Sequence, residues 1–434
     1  MPVNLDIASE SFAEEFEALL HSKREMDEDV DTIVADIIAE VRKRGDEALL
    51  EYTNRFDKLN LDAKTMSLSK DQLKAAIEEC DPKTIEDLKL AAERIKSFHE
   101  KTLPANLDYT DQAGVRLGAK WTAIQAAGIY VPGGTASYPS SVLMNAIPAK
   151  VAGVKRLVMT VPTPEGTRNP LVFAAAYLAG VDEVYMVGGA QAVAALAYGT
   201  ETIKPVDKIT GPGNAFVAAA KRRVFGQVGI DMIAGPSEIL VVADNKNDPA
   251  WVAMDLLSQA EHDVSAQSIL ITDDQQFADE VSKAVEAALT TLPRQEIARK
   301  SWEDHGAIIV VDNFDSAIEL IDRLAPEHLE LAVDDPQDLT DKITNAGSIF
   351  MGRYTPEAVG DYVAGPNHVL PTARSARFSS GLGVLDFMKR STFLQCDADS
   401  LGRIGPAAVG LAQSEGLGAH ARSVAIRLNM PVVD

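Results

Sequence analysis

A glutamate and a histidine stand side by side in the sequence Ala-Pro-Glu-His-Leu at 325–329. Pro326 should end the helix before it, so Glu327 and His328 are expected on a loop at a sheet edge, where catalytic residues are common. A neutral imidazole with a pKa near ~6.5 and an adjacent carboxylate can take two different protons in one reaction. A capping or salt-bridging pair is the alternative interpretation of these two residues.

Four further residues are of types that bind divalent metals. Gln259 and His262 are three apart on a predicted helix and would share one face. Asp361 lies in a turn-rich segment that also contains His368, and His420 follows a glycine-containing turn near the C-terminus. Two oxygen and two nitrogen donors suit zinc, although an amide oxygen is a poor zinc ligand and other divalent metals fit the same set. A lone Gln-x-x-His pair is more commonly a polar helix face.

Three glycine-rich turns, at 130–134, 187–191 and 211–216, follow predicted strands. Where such a turn opens a helix, its backbone N–H groups can bind an anion. The second and third turns do not complete the pattern G-x-G-x-x-G, since the sixth position of the third is Phe216. Each turn alone therefore predicts a dinucleotide site only weakly, and a purely structural turn is the alternative.

Alternating strands and helices supply the elements that must position these residues. Strands are predicted at 156–162, 183–187, 208–210, 238–243, 268–272, 307–311 and 348–351, and helices at 170–178, 190–198, 215–224, 250–261, 277–289 and 316–324. This alternation indicates parallel sheets covered by helices on both faces. In two consecutive blocks it predicts an α/β protein with two Rossmann-like domains, a helical N-terminal segment and a small C-terminal tail domain.

Composition excludes several classes of function. The 434 residues include 41 Lys and Arg against 64 Asp and Glu, a net charge of −23, which disfavours binding to nucleic acid or to an anionic membrane surface. The most apolar run, 171–181, is far shorter than the ~20 residues of a membrane span. The N-terminus has no secretory signal pattern, and Cys80 and Cys396 are expected as free thiols. A cytoplasmic location is therefore predicted.

Six short motifs, in order along the chain, together resemble the histidinol dehydrogenase family. They are Gly-Gly-Ala-Gln-Ala at 188–192, Gly-Pro-Gly-Asn-Ala-Phe at 211–216, Ala-Gly-Pro-Ser-Glu at 234–238, Leu-Ser-Gln-Ala-Glu-His at 257–262, Ala-Pro-Glu-His-Leu at 325–329, and Gly-Asp-Tyr at 360–362 followed by Gly-Pro-Asn-His-Val-Leu-Pro at 365–371. One such string would be weak evidence, but six in order make a specific resemblance. It extends from about residue 45 to residue 420.

The resemblance implies a four-electron oxidation of L-histidinol to L-histidine by two NAD+, through bound L-histidinal, as the last step of histidine biosynthesis. It implies one Zn²⁺ per subunit, and Glu327 and His328 as the acid–base pair. The implied zinc ligands are Gln259, His262, Asp361 and His420; the implied NAD+ contacts are Tyr130, Gln191 and Asn214; and the implied substrate contacts are Ser237, Gln259, His262, His328, Asp361, Glu415 and His420.

The resemblance also implies a homodimer with shared active sites. The predicted division is an N-terminal helical arm at 1–24, a first Rossmann-like domain at 25–129 with 238–381 that holds the metal and catalytic residues, a second Rossmann-like domain at 130–237 that contacts NAD+, and a tail domain at 382–434. The tail is too short for a core of its own and is expected to reach the partner's site.

Two other functions stay open at the level of sequence. One is a related zinc- and NAD-dependent dehydrogenase of another small polar alcohol, such as a sulfonated diol. Glu415 and His420 favour histidinol, because a carboxylate suits an imidazole N–H, but Arg374 and Arg377 could suit a sulfonate. The other is a two-domain binding protein without catalysis, which would need no Glu-His pair and is usually exported.

Overall fold

The computed structural model describes residues 2–21, 28–133, 138–233 and 235–431. These residues form two compact units. The first consists of Met1–Thr102 with Gln125–Phe387, and the second of Leu103–Ile124 with Met388–Asp434. The first unit contains two sheets of mostly parallel strands, and the second unit contains an antiparallel sheet.

Strands and helices are numbered here in chain order. The strands of the described residues are β1 Val3–Asp6, β2 Ser67–Leu68, β3 Leu107–Thr110, β4 Arg116–Ala123, β5 Ala126–Tyr130, β6 Arg156–Thr160, β7 Glu183–Tyr185, β8 Lys208–Thr210, β9 Gly229–Ile230, β10 Glu238–Ala243, β11 Gln267–Thr272, β12 Ala307–Val310, β13 His328–Ala332, β14 Ser348–Met351 and β15 Met388–Gln395.

The helices of the described residues are α1 Phe12–His21, α2 Glu28–Arg44, α3 Asp46–Phe56, α4 Lys70–Ala75, α5 Pro82–Lys101, α6 Pro139–Ala152, α7 Pro170–Leu178, α8 Gly189–Tyr198, α9 Ala215–Val224, α10 Pro249–Ala260, α11 Gln275–Leu289, α12 Gln295–His305, α13 Phe314–Leu324, α14 Pro336–Lys342, α15 Glu357–Tyr362, α16 Ala398–Ser414 and α17 Gly418–Ala425. Short 3-10 turns lie at Pro164–Gly166, Ser375–Arg377, Val384–Phe387 and Ile426–Leu428.

Local sequence explains where the helices of the first sheet begin. The side chains of Asp248, Asp274 and Asn313 accept hydrogen bonds from the free backbone N–H groups at the starts of α10, α11 and α13. At the end of α13, Ala325 takes a left-handed conformation with φ 45°, and Pro326 follows. The chain therefore leaves this helix abruptly and enters β13 within three residues.

The first sheet has the order β1-β12-β11-β10-β13-β14, and its neighbouring strands pair in parallel. From β10 the chain proceeds outward to β11 and β12, then returns to form β13 on the other side of β10. This placement corrects the loop predicted for the catalytic pair: His328 is the first residue of the buried strand β13. The apolar residues after it drive this burial, since Leu329 and Leu331 are fully buried.

The second sheet has the order β2-β7-β6-β5-β8-β9, with only the short edge strand β2 antiparallel to its neighbour. Its strand order reverses between β5 and β8. In open parallel sheets, ligands bind beside such a reversal, at the carboxyl ends of the strands. The three glycine-rich turns follow β5, β7 and β8 and so lie at that edge.

The packing of the N-terminal residues differs from the predicted division of the chain. Helices α2 and α3 contribute Val34, Ile37 and Leu49 to the core of the second sheet, although residues 25–129 were predicted with the first. Strand β5 also belongs to the second sheet. The helical arm predicted at 1–24 also holds a strand in its described residues 2–21, because β1 extends the first sheet and Phe16 is buried in its core. Helices α10 to α14 supply the remaining apolar cover of the first sheet.

The second unit joins two distant parts of the chain. Strand β15 pairs antiparallel with β4, which pairs antiparallel with β3. Helices α16 and α17 pack through a small apolar cluster of Val409, Ala421 and Ala425. Of the tail predicted at 382–434, residues 388–434 thus form a compact unit together with residues 103–124, which supply β3 and β4, whereas residues 382–387 belong to the first unit.

The described helices include none that is both long enough and apolar enough to cross a membrane. Both cysteines are free thiols. Burial raises the pKa of the Cys80 thiol, and the charge of Glu79 raises it further, which makes this thiol a weaker nucleophile at neutral pH.

Candidate active site

The predicted catalytic pair, Glu327 and His328, lies at the amino end of the first sheet. Ile239 in β10 pairs with His328 in β13, and this register places Glu238 next to Glu327 and His328. The backbone N–H of Glu238 donates to Oε2 of Glu327 at 2.9 Å, and Nδ1 of His328 lies 2.9 Å from the carbonyl oxygen of Glu238. One residue of β10 therefore holds both side chains of the pair.

Hydrogen bonding identifies the nitrogen of His328 that can act as a base. A carbonyl oxygen only accepts hydrogen bonds, so Nδ1 of His328 carries the proton that it donates to Glu238. Nε2 is then the unprotonated nitrogen, and it has no hydrogen-bond partner among the described residues. Burial lowers the pKa of His328 to about 4, so the ring is neutral at pH 7 and Nε2 can accept a proton.

Burial shifts the pKa of Glu327 in the opposite direction from that of His328. Its carboxyl group is buried and lies 3.7 Å from Nδ1 of His328. Burial raises the pKa of Glu327 well above its ordinary value, although the N–H of Glu238 partly stabilises the charged form. A carboxylate with a raised pKa is a stronger base than an exposed one once it is ionised, which suits proton abstraction from water.

The helix α15, which carries two acidic residues, faces the pair. Glu357 and Asp361 are one turn apart on α15, and ligand-type atoms of His328, Glu357 and Asp361 lie within 4.8 Å of one another. Oε1 of Glu357 is 3.5 Å from Nε2 of His328. Burial raises the pKa of Glu357 to about 9, and the charge of Asp361 adds to this effect.

Asp361, by contrast, is kept ionised. Burial alone would raise the pKa of its carboxyl group, but the hydrogen bond and the charge of His368, with smaller effects of His328 and His262, lower that pKa to about 2. Nδ1 of His368 lies 3.5 Å from Oδ1 of Asp361. A buried, ionised carboxylate among imidazoles is a suitable partner for a divalent cation.

The structure brings three of the four predicted metal ligands to this region. Gln259 is fully buried near the end of α10, and neither atom of its side-chain amide has a hydrogen-bond partner among the described residues. The helix ends at Ala260, so His262 lies in the turn just after it and not on the helix as predicted. His262 is nevertheless held close, because its N–H donates to the carbonyl of Gln259 at 3.1 Å and its charge acts on Asp361.

The other predicted substrate residues are distributed over both units. Ser237 directly precedes Glu238 at the same end of β10, and its carbonyl accepts a hydrogen bond from the N–H of Gln267. Glu415 and His420 belong to the second unit, where both side chains are exposed. Their implied contacts with metal and substrate therefore stay predictions.

The predicted cofactor residues lie at the carboxyl end of the second sheet. Tyr130 ends β5, and its hydroxyl oxygen accepts a hydrogen bond from the N–H of Gly189 at 3.0 Å. Gln191 is buried in the first turn of α8, and Asn214 caps α9 by accepting from Val217. The structure thus places all three beside the glycine-rich turns that follow β5, β7 and β8.

Close approach of the backbone explains one of these glycines. Gly211 has a φ of 114°, and a Cβ atom there would lie 2.1 Å from the carbonyl oxygen of Tyr130. The carboxyl ends of β5 and β8 can therefore approach each other only with glycine at this position. This close approach lies at the strand reversal, the usual location of a dinucleotide.

Helix α6 connects the two regions within the first unit. It starts beyond the carboxyl end of β5, and Ser141 in its first turn lies 3.5 Å from Nε2 of His368. The side-chain amide of Asn367 also donates to the carbonyl of Met144 at 2.6 Å. The segment that supports Asp361 is thereby attached to the helix that leaves the cofactor edge.

Sequence reasoning assigned no role to Glu238, Glu357 or His368. Glu357 and Asp361 are four residues apart, a spacing that places two carboxylates on one helix face and could have indicated Glu357. His368 occurs in the motif at 365–371 but had no predicted partner. The backbone contacts of Glu238 leave no signal in residue type, and only the strand register reveals them.

Comparison with known proteins shows similarity over nearly the whole chain. The family model described as histidinol dehydrogenase matches residues 20–428. Histidinol dehydrogenase of Rhodospirillum rubrum is 65% identical over 430 residues, covering 99% of each chain, and that of Rhizobium meliloti is 61% identical with the same coverage. The crystal structure of histidinol dehydrogenase from Elizabethkingia anophelis has 38% identity and a TM-score of 0.94, covering 99% of this chain and 98% of that one. With this coverage and identity, the chain belongs to the histidinol dehydrogenase family.

Proposed function

We propose that the chain oxidises L-histidinol to L-histidine through bound L-histidinal, with two NAD+ and one Zn²⁺ per subunit, as the last step of histidine biosynthesis. The observation that carries the proposal is the buried Glu327–His328 pair, in which Nε2 of a neutral imidazole has no hydrogen-bond partner among the described residues. The names of the relatives agree with this substrate.

The residues at the amino end of the first sheet fit a divalent metal. Gln259 offers an amide that is fully buried without a partner among the described residues, and Asp361 offers an ionised carboxylate. Together with His262, and with His420 from the partner subunit of a homodimer, they form the proposed set of ligands. Bound zinc would supply an electrophilic centre that holds the amine and an imidazole nitrogen of histidinol.

His328 serves the first oxidation. The alcohol carbon must lose a hydride while its hydroxyl group loses a proton. Nε2 of His328 accepts that proton, since the ring is neutral and its tautomer is fixed by Glu238. The products of this step are the aldehyde, one reduced dinucleotide and one proton held on the imidazole.

Glu327 serves the second oxidation. Water adds to the carbonyl carbon of the aldehyde, and Glu327 takes a proton from the attacking water. The former carbonyl oxygen then carries the negative charge, and this hydrate anion loses a hydride. Its remaining hydroxyl proton passes to Nε2 of His328, once the imidazole has released the first proton, which leaves the carboxylate of histidine. Water is the proposed nucleophile because neither Cys80 nor Cys396 lies among the site residues, and the Cys80 thiol has a raised pKa.

The carboxyl end of the second sheet fits the dinucleotide. Tyr130, Gln191 and Asn214 would bind it beside the glycine-rich turns, where the N–H groups at the start of α8 suit a pyrophosphate. Bound NAD+ would supply the hydride acceptor for each oxidation. The attachment of residues 367–368 to α6 supports a common location for metal, substrate and cofactor.

One assay tests the proposal. The purified protein with zinc and NAD+ should form two NADH per L-histidinol, and the product should be L-histidine. A sulfonated diol of similar size is the control substrate and should give no NADH. Formation of one NADH with release of histidinal, or preference for the sulfonated diol, would contradict the proposal.

A further inference from the structure

Asp57 lies at the same edge of the second sheet as the predicted cofactor residues. It follows the last residue of α3, and its backbone carbonyl accepts a hydrogen bond from the N–H of Glu165 at 2.7 Å. Glu165 lies in the turn after β6, and its carboxylate binds Lys58 at 2.6 Å. Asp57 is thereby held to the carboxyl end of β6, the strand next to β5.

One oxygen of the Asp57 carboxyl group lacks a donor. Its Oδ2 atom is buried and has no hydrogen-bond partner among the described residues. Burial raises the pKa of this carboxyl group, as expected for an acid that has lost water without gaining a donor. Buried polar atoms are almost always hydrogen-bonded in native proteins, so this oxygen calls for a donor from a bound molecule.

The Tyr130 hydroxyl indicates that Asp57 is near the predicted cofactor residues. Burial raises the pKa of the Tyr130 hydroxyl to about 12, and the negative charge of Asp57 contributes to the rise. The same hydroxyl oxygen accepts from the N–H of Gly189, at the start of α8. Asp57 is therefore within electrostatic reach of the group that borders the proposed dinucleotide site.

We propose that Asp57 accepts a hydrogen bond from the 2′-hydroxyl of the adenosine ribose of the dinucleotide and thereby selects NAD+ over NADP+. An acidic side chain beside the glycine turn of a Rossmann-like domain commonly has this role, whereas a bound 2′-phosphate calls for a cation. The nearby cation, Lys58, is already paired with Glu165. The negative charge of Asp57 would therefore repel a 2′-phosphate, and Lys58 would not offset this repulsion. The inference rests on the proposed NAD+ dependence.

Calorimetric titration of the zinc-loaded protein with three ligands tests the inference. The ligands are NAD+, NADP+ and the analogue of NAD+ with 2′-deoxyadenosine. The loss of a hydrogen bond to a charged group weakens binding by roughly 10- to 100-fold. We expect losses of this order for the analogue with the wild-type protein and for NAD+ with Asp57→Asn. The variant should bind the analogue as the wild type does, and its preference for NAD+ over NADP+ should fall at least about tenfold.

Asp71→Asn is the matched control, since Asp71 is an exposed acid on α4 and its replacement should leave all three affinities unchanged. Equal losses for NAD+ and the analogue in Asp57→Asn would show a merely structural role and overturn the inference. Unchanged discrimination against NADP+ would also overturn it. If Asp57→Asn does not fold, the wild-type comparison of NAD+ with its analogue decides, and equal affinities refute the inference. A wild-type protein that binds neither dinucleotide would refute the NAD+ dependence itself.

Discussion

The imidazole of His328 donates from Nδ1 to the backbone carbonyl of Glu238 across a 2.9 Å hydrogen bond. This contact is a consequence of strand register, because β10 and β13 pair with Ile239 opposite His328. It fixes the tautomer of the ring and leaves Nε2 as the base. The N–H of the same residue donates to Glu327, so the two proposed bases are oriented by one peptide segment and can still act separately.

Replacement of Glu327 should separate the two oxidations. Glu327→Gln keeps an oxygen that can accept from the N–H of Glu238 but removes the base. Because only the aldehyde step requires activation of water, oxidation of added histidinal should slow by ~10²- to 10⁴-fold, and the first hydride transfer from histidinol far less. Single-turnover formation of NADH from each substrate measures the two steps.

His328→Asn is the companion variant and should impair the first step, with a further loss in the second.

The pH dependence of the histidinal step gives an independent check on Glu327. Since burial raises the pKa of Glu327, its ionised fraction grows as the pH rises, and the histidinal step should accelerate with pH in the wild type but not in Glu327→Gln. If Glu327→Gln slows both steps equally, its role is positional and the assignment fails.

Removal of metal should abolish activity. Chelation leaves the ionised Asp361 and the unpartnered amide of Gln259 without their proposed ion, and zinc should restore the rate. His262→Asn should lower the zinc content and the activity. His305→Asn is the control, because His305 ends α12 and is not part of the cluster at His328, Glu357 and Asp361. Full activity after exhaustive removal of metal would refute the proposed zinc dependence.

Much of the fold could be predicted from the sequence because its strands are short apolar runs between helices. The predicted strand at 238–243 and the predicted helices at 170–178 and 215–224 have the bounds that the structure shows. The sequence does not predict strand β13, because Pro326 and the two polar residues after it are typical of a loop. Its burial is decided by the neighbouring strands β10 and β14, which local sequence does not reveal.

The candidate site could be predicted only in its residue types and motifs. Gln259, Asp361 and His328 stand in recognisable strings, whereas Glu357 approaches His328 only because α15 packs beside α10 and β13. Helices α2 and α3 carry an ordinary amphipathic pattern, which shows that they cover a sheet but not which one. Long-range packing of this kind depends on the whole fold.

Mixing of inactive variants should show whether the active site is shared. Glu415 and His420 lie in the second unit, and a homodimer in which this unit serves the partner would have composite sites. Mixed subunits of His262→Asn and His420→Asn should then regain part of the activity, since one site of each heterodimer carries neither change. Activity after subunit exchange is the measurement, and self-mixed variants are the controls. Mixed dimers that stay inactive would indicate that the tail serves its own subunit.

A buried histidine outside the active site should make stability depend on pH. His99 in α5 is 2% exposed, and neither ring nitrogen has a hydrogen-bond partner among the described residues. Burial lowers its pKa from 6.5 to about 4. Between these values the unfolded chain binds a proton that the folded chain does not, so the free energy of unfolding should rise with pH through this window.

The size of this effect can be measured with His99→Leu, which removes the titrating ring and keeps an apolar group. At about 1.4 kcal/mol per tenfold change in the proton equilibrium, His99 should cost the wild type up to about 3 kcal/mol as the pH falls from about 7 to 4. Denaturant unfolding at a fixed protein concentration, repeated across this range, should give a flatter dependence for His99→Leu. His21→Gln, at a side chain that is 74% exposed, should follow the wild type. The pKa of His328 is also lowered by burial, but His328 contributes equally to both proteins and cancels in their difference. Parallel curves for the wild type and His99→Leu would therefore show that His99 does not cause the pH dependence.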